Sequence, residues 1–512
     1  MNRRTKYLLL ALVLIIATFL RCYHLSSTPP GLYPDEAING NDASVAAATG
    51  HYRVFYPNNN GREGLYMNLI GLEFQLFHAP HDPWVVRLPA AIAGILAVLG
   101  LYFLVSELLG DGMGLLASFF FATSFWAVDL SRIGFRAILA PMFLIWALWL
   151  FLKAIRAPAA RERAAGWYAA LAGAVYGLGF YSYIAYRITP LLFLVFIPYF
   201  ARGKHRSPHF FRRTAIFIAA AFVAAAPIGW YFARHPADFF GRTAEISVAT
   251  AHNPLVQFAV NAGKELLMFN WRGDSNWRQN ISGAPELFFP VGILFLVGIA
   301  AAIFSLFRSR REGSDVKPAA GESMPGEPAR DWKNFFMFPA FPLALSFAWF
   351  LLALLPAALS NESIPHALRS ILMLPPALIF AAAGGAALYR LIKSRHRGAA
   401  YAVAAIFAAT VALGGWAQYF VVWARNPNVR GAFAENYVEI GQEINALPAR
   451  VPKYVVVQAG GVPVNGIPMP VETTMFITRT FTPSGQAAKN VHYLLPDQAG
   501  TIPPGAAVFT IR

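Results

Sequence analysis

Apolar residues gather along this chain in runs of about 18 or more, long enough to cross a hydrocarbon core of roughly 30 Å, with short polar segments between them. About eleven such runs can be read, near 7–25, 84–106, 112–129, 136–153, 166–183, 187–201, 214–232, 286–307, 335–358, 369–391 and 400–423. Only the short aromatic stretch "GFYSYIAYRITP" separates the fifth from the sixth. After residue 425 the rhythm changes. "KYVVVQA", "TMFITRTF", "VHYLL" and "AAVFTIR" alternate β-branched and aromatic positions between Pro/Gly turns and read as short strands. The pattern predicts an all-α polytopic membrane domain over 1–425 and a small C-terminal α/β domain over 426–512.

Composition agrees. Only 13% of the 512 residues are charged and 57% are hydrophobic, whereas a soluble protein carries roughly 25% charged residues. The formal charge of +16 raises the question of a nucleic-acid partner. No RNA- or DNA-binding motif is present, and the basic residues cluster in alternate loops, as membrane topology demands. Arg3, Arg4 and Lys6 form the first cluster, followed by Lys153, Arg156, Arg161 and Arg163, and then by "ARGKHRSPHFFRR" at 201–213. Arg308, Arg310 and Arg311 come next, and Arg390, Lys393, Arg395 and Arg397 complete the series. This pattern predicts a multi-pass protein of the cell (inner) membrane with a cytoplasmic N-terminus. Three large pieces then lie outside: the loops 26–83 and 233–285, and the C-terminal domain. The Pro/Gly/Glu-rich stretch 312–330 reads as a disordered cytoplasmic linker.

The first run, "MNRRTKYLLLALVLIIATFLRCYHL", lacks a small-x-small cleavage site, and Arg21 before Cys22 spoils a lipoprotein signal, so it reads as a retained helix. Cys22 is the only cysteine; an intramolecular disulfide is impossible and a thiolate metal site is disfavoured.

Candidate chemistry gathers on the outer side. "PPGLYPDEAINGNDA" places Asp35 and Glu36 just beyond the first span. They read either as a solvated pair at a helix N-terminus or as carboxylates at the membrane surface, where partial desolvation favours a base. "FWAVDLSRIGFRAILAP" supplies Asp129, Arg132 and Arg136, whose spacings put them on one face if the segment is helical. That reads either as an internal ion pair or as an acidic site residue beside phosphate-holding guanidinium groups. Arg62 and Glu63 occur in "NNNGREGLYM", Arg87 in "PWVVRLPAAIAG", and His366 and Arg369 in "SIPHALRSILMLPP". Arg87 and Arg369 open apolar spans from the side where topology disfavours arginine. The chain has no Walker loop, Rossmann fingerprint, HExxH or GxSxG. Without a nucleotide site, an outer reaction needs an activated group presented from the lipid.

The first-loop acidic pair, the second Asp near the third span, "VVRLPAAI" and "PHALRSI" together resemble the membrane-embedded GT-C glycosyltransferases of the protein O-mannosyltransferase and aminoarabinose transferase type, over roughly residues 1–425. The resemblance implies inverting transfer of a hexose or pentose from a polyprenyl-phosphate donor to a lipid, glycan or protein acceptor on the non-cytoplasmic face. It implies Asp35 as general base with Glu36 in support, Asp129 as the second acidic position, and Arg87, Arg132 and Arg369 at the lipid phosphate. Arg62, Glu63, Arg136 and His366 complete the candidate binding set. No cofactor is required, or else a divalent cation is held by Asp35, Glu36 and Asp129. The family's proline-containing motif late in the first loop is replaced here by "GREGLYMNLIG", and the tail is unlike a β-trefoil, which gives no support to a protein acceptor. The competing class is a transporter or flippase for a lipid-linked sugar or polyanion. That class predicts inverted repeats, and none is visible.

Overall fold

The computed structural model of the chain describes residues 2–201, 209–245, 247–312 and 337–512. The basic residues at 202–208 and nearly all of the expected linker, from 313 onward, lie outside the described residues.

Helix α1 (Arg3–Cys22) leads into the first long loop, which carries α2 (Pro34–Thr49), the hairpin β1 (Phe55–Tyr56) and β2 (Arg62–Glu63), and α3 (Leu65–Phe77). Helices α4 (Pro83–Leu109), α5 (Asp111–Thr123), the short α6 (Phe125–Leu130), α7 (Leu139–Arg156) and α8 (Glu162–Leu178) follow. A 3₁₀ stretch at Ile184–Val195 then precedes α9 (Phe210–Arg234). The second long loop contains α10 (Pro236–Glu245) and α11 (Pro254–Leu267), and α12 (Phe289–Glu312), α13 (Ala340–Ala358), α14 (Leu374–Arg395) and α15 (Arg397–Trp416) close the membrane domain.

Eight helices among the described residues are long and apolar enough to cross a membrane. The other expected spans, near 112–129, 166–183 and 187–201, carry shorter helices: α5 stops at Thr123, α8 has 17 residues, and the sixth is the 3₁₀ stretch, with Pro190 inside it. Lipid-facing positions are apolar, as with Leu12 and Ile15 on α1 and Phe222 and Val223 on α9. Between α12 and α14 the backbones meet directly. A Cβ on Gly384 would stand 2.0 Å from the Leu294 carbonyl oxygen, so only glycine permits this approach.

The chain ends in α16 (Pro427–Ala432), α17 (Glu435–Ala446), β3 (Lys453–Val457), a hairpin of β4 (Pro463–Val464) and β5 (Ile467–Pro468), α18 (Glu472–Thr478), α19 (Pro483–Lys489), β6 (Val491–Leu494) and β7 (Ala507–Ile511). The sheet order is β6–β3–β7, and both pairings are parallel, with Lys453 opposite Val491 and Ala507. Parallel neighbours need crossovers. The segment "TMFITRTF", expected as a strand, is such a crossover and forms α18. Its Thr474 hydroxyl donates to the Tyr437 carbonyl at 3.0 Å and its Thr473 hydroxyl to the Leu32 carbonyl at 2.8 Å. Packing on both sides therefore overrides the β propensity of the segment.

This last contact belongs to a joint with the first loop. Asn41 Nδ2 donates to Glu472 Oε2 at 2.7 Å, and Gly40 lies beneath the Phe476 ring. Gly31, at φ +70°, has the Phe433 carbonyl where a Cβ would stand. Residues 31–41, which include Asp35 and Glu36, are thus seated by the C-terminal segment.

Candidate active site

Asp35 and Glu36 occupy the first turn of α2, where Pro34 presets the helical φ. A rotation of about 100° per residue then sends the two carboxylates apart. Glu36 is fully buried. Its Oε1 accepts from Gly134 N at 2.7 Å and Arg87 Nε at 2.9 Å; its Oε2 accepts from Tyr33 N at 3.1 Å and Arg87 Nη2 at 3.3 Å. The remaining N–H groups of Arg87 reach the carbonyls of Leu25 at 3.2 Å, Pro29 at 2.8 Å and Gly31 at 2.8 Å. Every Arg87 donor is engaged within the protein.

Asp35 is half-buried. Asn59 Nδ2 donates to its Oδ1 at 2.8 Å, and it lines a cleft of about 860 Å³ between the two long loops and the C-terminal segment. Tyr33, Asn59 and Arg278 share the near wall, and Arg430, Glu435 and Gly461 belong to the far one. The Arg278 guanidinium stands 4.1 Å from the Tyr33 ring centroid. Burial pushes the Tyr33 phenol up to about 12, and the Asp35 carboxylate adds to the shift, so Tyr33 stays neutral. Of the residues singled out from the sequence, Asp35 alone lines this cleft.

The strand β2 splits Arg62 from Glu63 by its period of two. Arg62 turns inward to Asp42, Asn39 Oδ1 and the Asn58 carbonyl. Glu63 accepts from Arg136 Nε at 2.8 Å and Arg187 Nη2 at 3.3 Å. Arg187 also donates to the Phe239 carbonyl at 2.8 Å and lies 4.2 Å from the Phe239 ring centroid. Arg136 Nη1 and Nη2 donate to no described residue, leaving a planar pair of donors for a ligand.

The single helical face expected for Asp129, Arg132 and Arg136 does not form. Helix α6 ends at Leu130 and the chain turns through Gly134. Arg132 goes back to the carbonyls of Leu20, Tyr23 and Thr28 at 2.9, 2.7 and 2.6 Å, while Arg136 goes to Glu63. Asp129 is fully buried, and neither of its oxygens has a hydrogen-bond partner among the described residues. The set Asp35, Glu36 and Asp129 is not assembled around one point: no group of three or more His, Cys, Asp or Glu side chains among the described residues could hold a metal ion.

His366 and Arg369 lie on a separate clamp. Arg369 pairs with Glu362 at 2.6 Å and also reaches Ser360 Oγ. Glu265 accepts from His366 N at 2.9 Å and Ser370 Oγ at 2.6 Å, and Asp274 Oδ2 accepts from Ala367 N at 2.9 Å. Burial pushes Glu265 up to about 7 and Asp274 up to about 6.

Sequence reasoning missed Arg187, Arg278, Glu265 and Asp274. Arg187 opens an apolar segment, the same signal that singled out Arg87. Glu265 is the acidic position on the buried face of α11, whose other face exposes Leu255 and Val256.

Residues 65–230 match the family described as dolichyl-phosphate-mannose-protein mannosyltransferase. No curated protein matches the chain. Among solved structures, ArnT from Cupriavidus metallidurans bound to undecaprenyl phosphate matches with a TM-score of 0.53 at 14% identity, covering 98% of this chain and 89% of that one. The chain has a GT-C-type fold. The Archaeoglobus fulgidus oligosaccharyltransferase in its apo form shares this GT-C fold, with a TM-score of 0.53 and 14% identity over 98% of this chain and 65% of that one. The archaeal AglB in complex with an inhibitory peptide and a dolichol-phosphate gives 0.51 and 14%, over 92% and 63%. The chain thus spans about 65% of the length of the archaeal apo structure. The family match takes in Arg87, Asp129, Arg132, Arg136 and Arg187 and begins after Asp35 and Glu36.

Proposed function

We propose that this GT-C protein is an integral-membrane glycosyltransferase that moves a hexose or pentose from a polyprenyl-phosphate-linked donor to an acceptor hydroxyl on the non-cytoplasmic face. The observation that carries this reading is Asp35. It is a half-buried carboxylate with one oxygen oriented by Asn59, on the wall of a cleft large enough for an acceptor. The alternation of basic loops supports a cytoplasmic N-terminus, which leaves α2, α11 and the C-terminal segment outside. Polyprenyl phosphates in the ArnT and AglB structures support a lipid-borne donor.

In this reading Asp35 takes the proton of the acceptor hydroxyl as its oxygen bonds to the anomeric carbon. The bond from that carbon to the phosphate oxygen breaks, and the phosphate leaves with the electron pair. Attack opposite the leaving group inverts the anomeric centre. Arg136 offers its unengaged Nη donors to the leaving phosphate, and Arg187 supplies a second charge, with Glu63 holding the two guanidinium groups at a fixed spacing. Glu36, Arg87, Arg132 and Asp129 stay inside the protein and hold the frame. His366 and Arg369 fix the entrance to α14.

The test is transfer of radiolabelled sugar from synthetic polyprenyl-phosphate sugars, with water and an envelope extract as acceptors, by wild type and Asp35→Asn in detergent. Release from one donor by wild type alone supports the reading. Equal release by both proteins removes Asp35 as the base.

A further inference from the structure

A second cavity, of about 650 Å³, lies between the first long loop and the C-terminal segment and shares no lining residue with the cleft at Asp35. Its walls bring together Ser26, His81 and Asp82 from the membrane domain with Asn445, Arg479 and Lys489 from the C-terminal segment. The Arg479 side chain is exposed and donates to no described residue. Lys489 Nζ donates to Asn445 Oδ1, and Asp82 Oδ1 already accepts from Trp84 N at 3.1 Å as the cap of α4. Two cations therefore face one partly engaged carboxylate.

His81 adds a neutral donor. Its ring stacks on Phe74 at 4.8 Å, and its Nδ1 is buried without a hydrogen-bond partner among the described residues. Burial first, and then the charges of Arg479 and Lys489, pull its pKa down to about 4, so the ring is uncharged at neutral pH and leaves the cavity's charge to those two residues. The position is equally informative. Pro83 begins a 27-residue span, roughly 40 Å of helix, so the cavity sits where that span leaves the bilayer. Helix α3, just before it, exposes Leu76 and Phe77, the latter by 75%.

We propose that this cavity binds a phosphate group, held by Arg479 and Lys489 with the His81 ring as a hydrogen-bond donor. The guanidinium fork and the ammonium match phosphate oxygens, and the location admits either the head group of an anionic membrane lipid or free phosphate from solution. The site is separate from the donor phosphate of the transfer reaction and does not depend on it.

The test uses full-length protein in phosphatidylcholine nanodiscs, titrated calorimetrically with inorganic phosphate and, separately, with short-chain phosphatidylglycerol. Wild type is compared with the double variant Arg479→Gln/Lys489→Gln. The expected result is saturable binding by wild type, weakened about tenfold or more in the double variant, as loss of charge-assisted hydrogen bonds dictates. Binding of phosphatidylglycerol alone assigns the site to a head group; binding of both ligands shows that the phosphate suffices. Asp35→Asn should bind like wild type. The single variants Arg479→Gln and Lys489→Gln each lose part of the affinity at an unchanged unfolding midpoint, and they decide the matter if the double variant does not fold. Equal affinity in wild type and variants, or no saturable binding by wild type, overturns the proposal.

Discussion

Glu36 and Arg87 form a bidentate ion pair from which water is excluded, with both side chains at 0% exposure and their closest contact at 2.9 Å. The pair ties α2 to α4, and through Gly134 N and the carbonyls of residues 25, 29 and 31 it also gathers the turn after α6 and the exit of α1. Removing one partner strands the other as a buried charge, which costs about 3–5 kcal/mol. Glu36→Ala should therefore lower the unfolding midpoint of the purified protein sharply, and Arg87→Ala should do the same. An unchanged midpoint in either variant would refute this structural role.

Asp35 presents the opposite case. Asparagine keeps the contact with Asn59 but cannot accept the acceptor's proton, so Asp35→Asn should lose about 10²–10⁴-fold in turnover at nearly unchanged thermal stability. Single-turnover transfer measured beside thermal unfolding checks both halves. A loss smaller than about tenfold would point to a different base.

Arg132 and Arg136 are four residues apart and should behave differently. Arg136→Gln removes a donor pair that no described residue uses together with the Nε bond to Glu63, which keeps Arg187 as its partner, and the expected effect is a rise of about tenfold in the KM for the lipid donor, roughly 1.4 kcal/mol. Arg132→Gln leaves three carbonyls without their donor, at about 1–3 kcal/mol for each one left buried and unsatisfied. Its effect should appear in the unfolding midpoint. Donor KM and midpoint measured for both variants settle the contrast, and a reversal of the two effects would exchange the roles.

The Glu265 clamp makes stability depend on pH in a defined direction. Its carboxyl is raised from an ordinary 4.5 to about 7, so the folded state holds the proton through that interval while the unfolded chain releases it. Stability should fall as pH rises from about 4.5 to about 7. Glu265→Gln mimics the protonated form and should flatten that slope, gaining on wild type at each step towards pH 7. Midpoints recorded across the range for both proteins give the comparison; a steeper slope in the variant would contradict the assignment.

The membrane domain was readable because a long apolar run has few alternatives to crossing a bilayer, and of the two readings of Asp35 and Glu36 the helix N-terminus matches their place in the first turn of α2. The functions of individual arginines were not, because they depend on which carbonyls lie nearby. Arg87 looked like a charge awaiting a ligand, yet its partners are backbone oxygens of residues 25–31, which no side-chain pattern reveals. Spacing alone put Asp129, Arg132 and Arg136 on one face. Gly134 within "SRIGFR" was the available sign of a break, and the turn there delivers its N–H to Glu36. The α18 segment misled for a related reason: its Thr, Phe and Ile residues favour a strand locally, while the parallel sheet needs a crossover at that place. Arg278 reaches Asp35's cleft only through the path of the second loop, which sequence periodicity does not encode.

The seating of residues 31–41 by the C-terminal segment has a bearing on biosynthesis. The ribosome releases α2 early, and insertion of the membrane helices follows in order, but Phe433, Glu472, Thr473 and Phe476 emerge only after the last of those helices. Until then the carboxylate of Asp35 stands on a helix with one wall of its cleft missing. A nascent chain halted after its final membrane helix would already carry α2 and Asp35, yet it would lack the wall that Arg430, Glu435 and Gly461 give the cleft.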